Sequence, residues 1–347
     1  MNLRLTWHKL THWEYWPYQI VYIPIYFQYL YYAFRAKSLF YFTASNPTIR
    51  NGGFFMESKK EIYDLIPQKY YPKTFLIKKG TSIEEIKNII QKNRICYPFI
   101  SKPDIGLRGT AVKKINTEIE LINYVTKANF DFLIQDIIPF KNEIGLFYVK
   151  LPNQKNGKIT GIVFKEFLII NGNGKETIAE LLLKDPRYAF QYETLKKEYG
   201  TNVLNQILEL NKSINLVPYG NHCRGTKFID YSHKITPQLE EIFTKICNQI
   251  NGFCYGRMDI MFNTFEELEK GINFQIIEIN GAISEPTHIY DPNHTLLFGW
   301  KELSRHYKYL YEISKHNNQQ GIPYLSLKEG ILEFKKHNKF YNTILKF

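Results

Sequence analysis

Two short apolar segments in the last third of the chain constrain the fold most. Residues 255–262 read Tyr-Gly-Arg-Met-Asp-Ile-Met-Phe, and residues 274–280 read Phe-Gln-Ile-Ile-Glu-Ile-Asn. Both have the length and composition of β-strands. Because strand side chains alternate between two faces, Arg257 and Asp259 point one way, and Glu278 and Asn280 also share a face. If the two strands pair as a hairpin, all four polar side chains can line one cleft.

The polar side chains of this hairpin have the chemistry of a magnesium site. Two carboxylates (Asp259, Glu278) and an amide oxygen (Asn280) are hard ligands suited to Mg²⁺ that bridges nucleotide phosphates. Glu278 and Asn280 also interrupt a run apolar enough to be buried, and a buried carboxylate without a cation is costly. The alternative is that Asp259 and Glu278 are ordinary solvated charges.

A lysine at the end of a strand followed by a glycine turn forms a second candidate element. We predict a strand over residues 97–101 that ends at Lys102, and a flexible turn that contains Gly106, Arg108 and Gly109. Such a turn can cap phosphate oxygens with backbone N–H groups while Lys102 and Arg108 supply charge. The segment matches neither the P-loop nor the dinucleotide-binding fingerprint. The alternative is an ordinary surface hairpin.

A third candidate element begins with an apolar strand that starts at Phe132. Where this strand leads into a linker, residues 135–138 could present backbone groups to the edge of an adenine; they are Gln135, Asp136, Ile137 and Ile138. Glu143 follows, and its carboxylate could accept hydrogen bonds from ribose hydroxyls.

The order of these elements resembles the ATP-grasp superfamily, and it is especially similar to the D-alanine–D-alanine ligase-like carboxylate–amine ligases. The resemblance covers roughly residues 73–300. It implies an α+β fold in which two α+β subdomains clasp ATP, here with an aromatic-rich N-terminal extension. The expected organisation is an N-terminal segment at 1–68, a small subdomain at 69–138, a large subdomain with the metal site at 139–317, and a basic, weakly patterned tail at 318–347.

The resemblance also implies roles for single residues. Lys102 looks like the lysine on the α- and β-phosphates, and Arg257 like the arginine that steadies the acyl-phosphate and the tetrahedral intermediate. The cofactors implied are ATP and Mg²⁺, with Mn²⁺ as a substitute. The roles carried over for the other residues are phosphate cover for Gly106, Arg108 and Gly109, adenine hinge for Gln135, Asp136, Ile137 and Ile138, ribose ligand for Glu143, and metal ligands for Asp259, Glu278 and Asn280.

Further residues lie outside these motifs. We assign Arg224, Lys227 and His288 to substrate contacts, and Lys59 and Lys165 to further phosphate or substrate contacts. For His288 the alternative is a structural loop. Residues 172–178 resemble a segment of amino-acid-polymerising members such as cyanophycin synthetase. The chain departs from the ligases after Asn280, where their usual Ser-Pro-Gly is absent, and in residues 1–68. Specificity for D-alanine is therefore not implied.

The function that the resemblance implies is ATP- and Mg²⁺-dependent joining of a small-molecule carboxylate to an amine through an acyl-phosphate, with amino-acid or peptide-like substrates. The alternative is a membrane-associated nucleotide-binding protein with little or no ligase activity. The formal net charge of +12 favours anionic partners. The basic residues of the chain are scattered along the sequence and match no nucleic-acid-binding motif, so we do not predict a nucleic-acid partner. The sequence does not indicate an oligomeric state.

The N-terminal segment has an unusual composition. No charged residue lies between Glu14 and Arg35, while tyrosines recur and Pro17 and Pro24 interrupt the run. Tyr and Trp prefer the headgroup level of a bilayer. We expect a cytoplasmic protein and weigh three interpretations of this segment: attachment of residues 13–42 to the anionic inner face of the membrane, burial against the rest of the protein, or, less favoured, a full membrane span.

Overall fold

The computed structural model describes residues 3–106, 109–217 and 220–347. Its N-terminal part is helical, with α1 Leu3–Thr11, α2 Tyr18–Val21, α3 Ile23–Ala36 and α4 Lys59–Leu65. Within these described ranges, no helix is both long enough and apolar enough to cross a membrane. The interpretation of residues 15–34 as a full span is therefore wrong.

A four-stranded antiparallel sheet with two helices follows. Its elements are β1 Thr74–Ile77, α5 Ile83–Lys92, β2 Phe99–Pro103, β3 Lys113–Ile115, α6 Glu118–Lys127 and β4 Phe132–Asp136. The strand order is β1-β4-β2-β3. Helix α5 begins with a capping box, in which Ser82 and Glu85 each bond the other's backbone N–H. Its residues Ile86 and Ile90, one turn apart, face the core of this sheet.

The third part of the chain contains a five-stranded antiparallel sheet. The elements in chain order are β5 Asn142–Val149, β6 Lys158–Glu166, β7 Ile169–Asn171, α7 Ile178–Lys184, α8 Pro186–Ala189, α9 Tyr192–Tyr199, α10 Thr201–Leu204, β8 Ser213–Asn215, β9 Lys227–Asp230, α11 Pro237–Gln249, β10 Tyr255–Phe262, α12 Phe265–Glu269, β11 Phe274–Asn280 and α13 Leu296–Gln319. The strand order of the large sheet is β11-β10-β5-β6-β9, and the short strands β7 and β8 pair with each other beside the helices α7–α10.

The two faces of the five-stranded sheet have different partners. On one face, Leu146 and Met258 share a core with Phe243 of α11. The alternate residues of β5 and β10 point to the other face, where Phe147 packs edge-on against His306 of α13 at 4.6 Å between ring centroids. This second face carries Asp259. The alternation predicted from the sequence therefore separates a core face from a face with polar side chains.

The N-terminal helix α3 is held against the body by one side only. Ile25 and Ala33 are buried, and Tyr32 stacks on Tyr311 of α13 at 4.4 Å between ring centroids. Gln28 Nε2 donates to the carbonyl oxygen of Ser304 at 3.0 Å. Burial of this segment against the protein is therefore observed for one face of the helix.

The C-terminal tail forms a long helix, α14 Leu327–Ile344, which the sequence analysis did not predict. A capping box between Ser326 and Glu329 begins it. Arg50 donates to Glu333 in the middle of the helix at 3.0 Å, and Ile344 at its end joins the core of the four-stranded sheet. The tail therefore connects the N-terminal segment with the small sheet.

Candidate active site

Asp259 and Glu278 are direct cross-strand partners on β10 and β11, and Arg257 is paired with Asn280 in the same register. Directly opposed residues of an antiparallel pair project on the same side of the sheet. The structure therefore brings the four polar side chains of the predicted hairpin to one face. Their roles as metal ligands and as a catalytic arginine stay predictions.

Asp259 lies between two cations. Arg257 donates to both of its carboxylate oxygens, from Nε at 2.9 Å and from a terminal nitrogen at 3.2 Å, and Lys165 Nζ lies 3.2 Å from Oδ1. Burial by itself raises the pKa of a carboxyl group, but Arg257 and Lys165 outweigh burial and lower the pKa of Asp259. The carboxylate therefore stays ionised in a buried position.

Lys165 joins this pair to Glu143. Its Nζ lies 2.6 Å from a Glu143 carboxylate oxygen, and both side chains are almost fully buried. Burial opposes the charge of Lys165, but Asp259 and Glu143 together raise its pKa. The backbone at Gly220 presses against both side chains: a Cβ there would lie 2.3 Å from the Lys165 chain and 2.9 Å from Glu143. Glu143 is thus engaged by Lys165, and its role as a ribose ligand stays a prediction.

A second lysine approaches from the N-terminal part of the chain. Lys59, at the start of α4, lies 3.3 Å from the Glu278 carboxylate and donates to the carbonyl oxygen of Gly106 at 2.9 Å. Ser58 caps the helix and also donates to Asp104 at 2.9 Å, which ties the helix start to the predicted glycine turn. Burial opposes the charge of Lys59, but Glu278 raises its pKa above the usual value.

Lys102 is buried beside neutral groups. Its Nζ donates to the Tyr63 hydroxyl at 3.0 Å and lies 3.4 Å from the carbonyl oxygen of Ile277. Gln135 donates to the same hydroxyl at 3.0 Å, and the Tyr63 hydroxyl in turn donates to the Ile277 carbonyl. Burial lowers the pKa of Lys102 to about 8, with Glu278 opposing the shift. A buried lysine whose hydrogen-bond partners are neutral suits a site that receives an anion.

The residues on this face fit a cation carried by an anionic ligand. Asn280 Nδ2 is buried and has no hydrogen-bond partner among the described residues. An amide can be turned to present its oxygen, and beside Asp259 and Glu278 it completes a set of oxygen donors. In the part of the chain that the structure describes, no group of three or more His, Cys, Asp or Glu side chains could hold a metal by itself.

Part of the predicted phosphate-covering turn lines a neighbouring cleft. Gly109 and the residues after it face Arg224 across a cavity of about 320 Å³. Arg224 also donates to Glu198 at 2.6 Å. Gly109 has a φ of +73°, a conformation that favours glycine. Arg108, predicted to contact phosphate, lies outside the described residues.

The other predicted residues occupy different positions. The hinge residues Asp136, Ile137 and Ile138 end β4 and follow it, with Ile137 exposed. Lys227 lies on the edge strand β9, opposite Glu166 and separated from β10 by two strands. This places Lys227 away from the Asp259 pair.

His288 lies on the same face of the sheet as Asp259. It covers Gly161 of β6, since a Cβ on that glycine would lie 2.2 Å from the imidazole ring. Its Nε2 is 3.4 Å from the Glu302 carboxylate. The assignment of His288 to substrate contact stays a prediction.

Two groups near the site were not predicted. Tyr63 lies one helical turn after Lys59, so helical spacing from that lysine could have identified it. Glu285, in the segment that departs from the ligases, accepts hydrogen bonds from Tyr22 and, at 3.1 Å, from Tyr290. Tyr22 comes from the N-terminal segment, and no local pattern in the sequence predicts this contact.

Comparisons with known proteins give structural similarity only. No protein-family model matches the chain, and no curated protein matches it at a significant level. The chain is similar to a bifunctional glutathione synthetase from Pasteurella multocida, with 14% identity and a TM-score of 0.38 over 74% of this chain and 38% of that one. It is also similar to the VanG D-Ala:D-Ser ligase from Enterococcus faecalis, with 12% identity and a TM-score of 0.42 over 73% of this chain and 61% of that one.

A D-alanine–D-alanine ligase from Bacillus anthracis has 13% identity and a TM-score of 0.44 over 76% of this chain and 69% of that one. The chain thus spans less than two thirds of the length of the first two proteins. The predicted α+β fold class is confirmed by the helices and strands of the structure.

Proposed function

We propose that this chain is an ATP- and Mg²⁺-dependent carboxylate–amine ligase. The observation that carries the proposal is the cross-strand pair of Asp259 and Glu278, each in contact with a lysine from another part of the chain. Four cationic side chains beside two carboxylates suit a polyphosphate with its metal. The four cationic side chains are Lys59, Lys102, Lys165 and Arg257.

In this proposal each residue of the site has a separate role. Lys102, Lys59 and Lys165 hold phosphate oxygens, and Asp259, Glu278 and Asn280 hold Mg²⁺, which supplies charge neutralisation on the phosphates when bound. Mn²⁺ is the expected substitute. Arg257 steadies negative charge on the transferred phosphoryl group. Phosphoryl transfer depends mainly on positioning and charge, so no nucleophilic side chain is required.

The proposed reaction has two steps. A carboxylate oxygen of the first substrate attacks the γ-phosphorus of ATP, which forms an acyl-phosphate and releases ADP. The amine nitrogen of the second substrate then attacks the acyl carbon and loses a proton, and phosphate leaves. The products are one carbon–nitrogen bond, ADP and inorganic phosphate.

A screen of amino acids and short peptides tests the proposal. The purified protein is incubated with ATP, Mg²⁺ and substrate pools, and ADP release is followed while condensation products are identified by mass. The expected result is ADP that appears together with a product of matching mass, only when metal is present. ADP release without any condensation product, or no nucleotide binding, would contradict the proposal.

A membrane-associated nucleotide-binding protein with little ligase activity is the second candidate function. The exposed apolar side of α3 favours it, since a purely soluble role does not require large apolar side chains in water. The two candidates are distinguished by the same screen. Nucleotide binding with no condensation on any pool, together with binding to vesicles, would favour the second candidate.

A further inference from the structure

The outward side of α3 presents a row of large apolar side chains to solvent. Ile23, Phe27, Leu30 and Phe34 recur at helical spacing along one side of the helix, and Phe27 and Phe34 are 71% and 84% exposed. We call these four residues the apolar row. Monomeric soluble proteins rarely expose such contiguous patches unless the patch binds something.

The apolar row continues into a groove beside the start of α14. The groove has a volume of about 570 Å³ and is lined by Leu30, Phe34, Lys37 and Leu327, among others. Leu327 is itself 56% exposed. The exposed apolar surface therefore joins two helices that lie far apart in sequence.

The charge that the N-terminal segment presents to solvent has one sign. Before Glu57 the only acidic residue is Glu14, whereas Arg4, Lys9, Arg35, Lys37 and Arg50 are basic. Glu14 is 4% exposed and is held by Arg187 at 2.7 Å and by His222 at 3.0 Å, so its charge does not face solvent. The N-terminal segment thus presents apolar and cationic groups to solvent without an exposed carboxylate.

These observations identify the partner chemically. We propose that the apolar row docks on the surface of an anionic lipid bilayer, with Arg35 and Lys37 at the headgroups. Tyr26 and Tyr31, which are also exposed on α3, suit the headgroup level. An apolar protein partner or a second copy of the chain would need no cationic border, whereas an anionic membrane attracts one.

The geometry favours an orientation in the plane of the membrane. Helix α3 has 14 residues. At about 1.5 Å per residue it is about 21 Å long, shorter than the roughly 30 Å of a hydrocarbon core. Its inner side is fixed to α13 through Gln28 and Tyr32. The folded protein can therefore bring the apolar row to the interface without unfolding, as a surface helix does.

Flotation of the full chain with vesicles tests this inference without nucleotide, so its outcome is independent of the proposed ligase activity. Two vesicle compositions are used: phosphatidylcholine alone, and phosphatidylcholine with about one third phosphatidylglycerol. The expected result is clear binding to the anionic vesicles and weak binding to the neutral ones. Equal binding to both compositions, or binding to neither, would overturn the inference.

Substitutions separate the apolar and cationic contributions. The double variant Phe27→Glu/Phe34→Glu should lower binding about a hundredfold or more, because two aromatic side chains that the bilayer would bury are lost. The variant Arg35→Gln/Lys37→Asn should lower binding to anionic vesicles about thirtyfold. Asparagine is chosen because Lys37 has a left-handed φ of 54°, which asparagine tolerates.

Matched controls carry the same change at equally exposed apolar positions elsewhere. Ile119 on α6 and Leu210 after α10 are 71% and 67% exposed. The variant Ile119→Glu/Leu210→Glu should bind vesicles like the unmodified protein. If it loses binding as strongly as the α3 variant, or if the α3 variant only dissociates a dimer seen by sedimentation, membrane docking through the apolar row is wrong.

Discussion

Asp259 and Glu278 face each other across β10 and β11, and each carboxylate is in contact with a lysine from a different part of the chain. Lys165 of β6 lies 3.2 Å from Asp259, and Lys59 of α4 lies 3.3 Å from Glu278. The two ion pairs differ in environment, since the Asp259 side chain is 6% exposed and that of Glu278 is 34% exposed. The more open pair is better placed to exchange its lysine for a ligand.

The first prediction concerns these two carboxylates. Asp259→Asn and Glu278→Gln should each lower the rate of ADP release about a hundredfold to a thousandfold, because each removes a charge next to the proposed phosphate site. Asp259→Asn should also destabilise the fold by about 3–5 kcal/mol, since Lys165 and Arg257 lose a buried partner. Rates are measured with the substrates found in the screen, and stability is measured by urea unfolding.

Glu241→Gln is the matched control. Glu241 also contacts a lysine, Lys245 at 2.5 Å, but this pair lies on the exposed surface of α11. The variant should keep the full rate and a stability within about 1 kcal/mol of the unmodified protein. Near-normal rates for Glu278→Gln, which retains a partly exposed side chain and should fold, would refute the proposed metal role.

The second prediction concerns pH. Lys102 has a pKa of about 8 in the free protein, so it loses its charge as the pH rises through this value. A bound polyphosphate favours the charged form, so above pH 8 binding must be accompanied by proton uptake. The affinity for ADP should therefore be constant below about pH 8 and fall by up to about tenfold per pH unit above it.

Lys102→Arg provides the control for the pH profile. Arginine stays charged throughout this range, so the profile of the variant should be flat whatever its absolute affinity. Lys59 and Lys165 have raised pKa values and also stay charged. Titration calorimetry between pH 7 and 9.5, about 1.5 units above the pKa, measures both proteins. The same decline in both would show that another group titrates.

The third prediction concerns the glycine that is paired with Asp259 on the neighbouring strand. Gly145 of β5 is paired with Asp259, and a Cβ there would lie 2.9 Å from the Arg257 side chain and 3.2 Å from Asp259 Oδ1. Gly145→Ala should displace the Arg257–Asp259 pair and lower the rate of ADP release about a hundredfold. The fold should lose only about 1–3 kcal/mol.

A second glycine variant separates stability from activity. Gly80→Ala adds a Cβ with no atom within 4 Å, but at a φ of +84°, so it should cost about 1 kcal/mol through backbone strain. Gly80 lies in the turn before α5, away from the carboxylate pair. The Gly80→Ala variant should release ADP at the rate of the unmodified protein. If Gly145→Ala also turns over normally, the observed geometry of the Arg257–Asp259 pair is not needed for activity.

The sequence predicted the hairpin that carries Asp259 and Glu278 because the signal is local. Period-two alternation decides which side chains share a face, and the strands 255–262 and 274–280 have the predicted bounds. The strand that begins at Phe132 was predicted from an equally local apolar run. In each case a pattern within ten residues was sufficient to predict the strand.

Other features depend on contacts between distant parts of the chain. Tyr22 reaches Glu285 across 263 positions, and Lys59 reaches Glu278 across a similar separation. No spacing rule predicts such contacts, because they arise from how the N-terminal segment packs. Helix α14 was missed for another reason: only Gly330, Glu333 and Ile344 of the helix are buried, so it has no regular apolar stripe, and its start is marked only by the capping box of Ser326 and Glu329.

The last prediction concerns stability in acid. His306 is buried on α13, with Nδ1 2.8 Å from the carbonyl oxygen of Glu302 and Nε2 2.9 Å from the Thr160 hydroxyl. Because a carbonyl can only accept, Nδ1 carries the proton and Nε2 accepts from Thr160. Protonation of Nε2 would remove that acceptor, and burial lowers the pKa of His306 to about 3.

The sign of the effect follows from the two pKa values. Between about 6.5, the usual value for unfolded histidine, and about 3, the unfolded chain binds a proton that the folded protein does not. His306 therefore favours folding above pH 6.5, and this contribution is lost progressively as the pH falls. At pH 5.5 the loss should be about 1.4 kcal/mol relative to pH 7.5.

Urea unfolding at pH 7.5 and 5.5 measures this loss in three proteins. His306→Gln should show a smaller drop than the unmodified protein by about 1.4 kcal/mol, because glutamine does not titrate. The control is His233→Gln, since His233 is exposed and loses no buried hydrogen bond when replaced. It should show the same drop as the unmodified protein. Equal drops in all three proteins would mean that His306 is protonated in the folded state at pH 5.5.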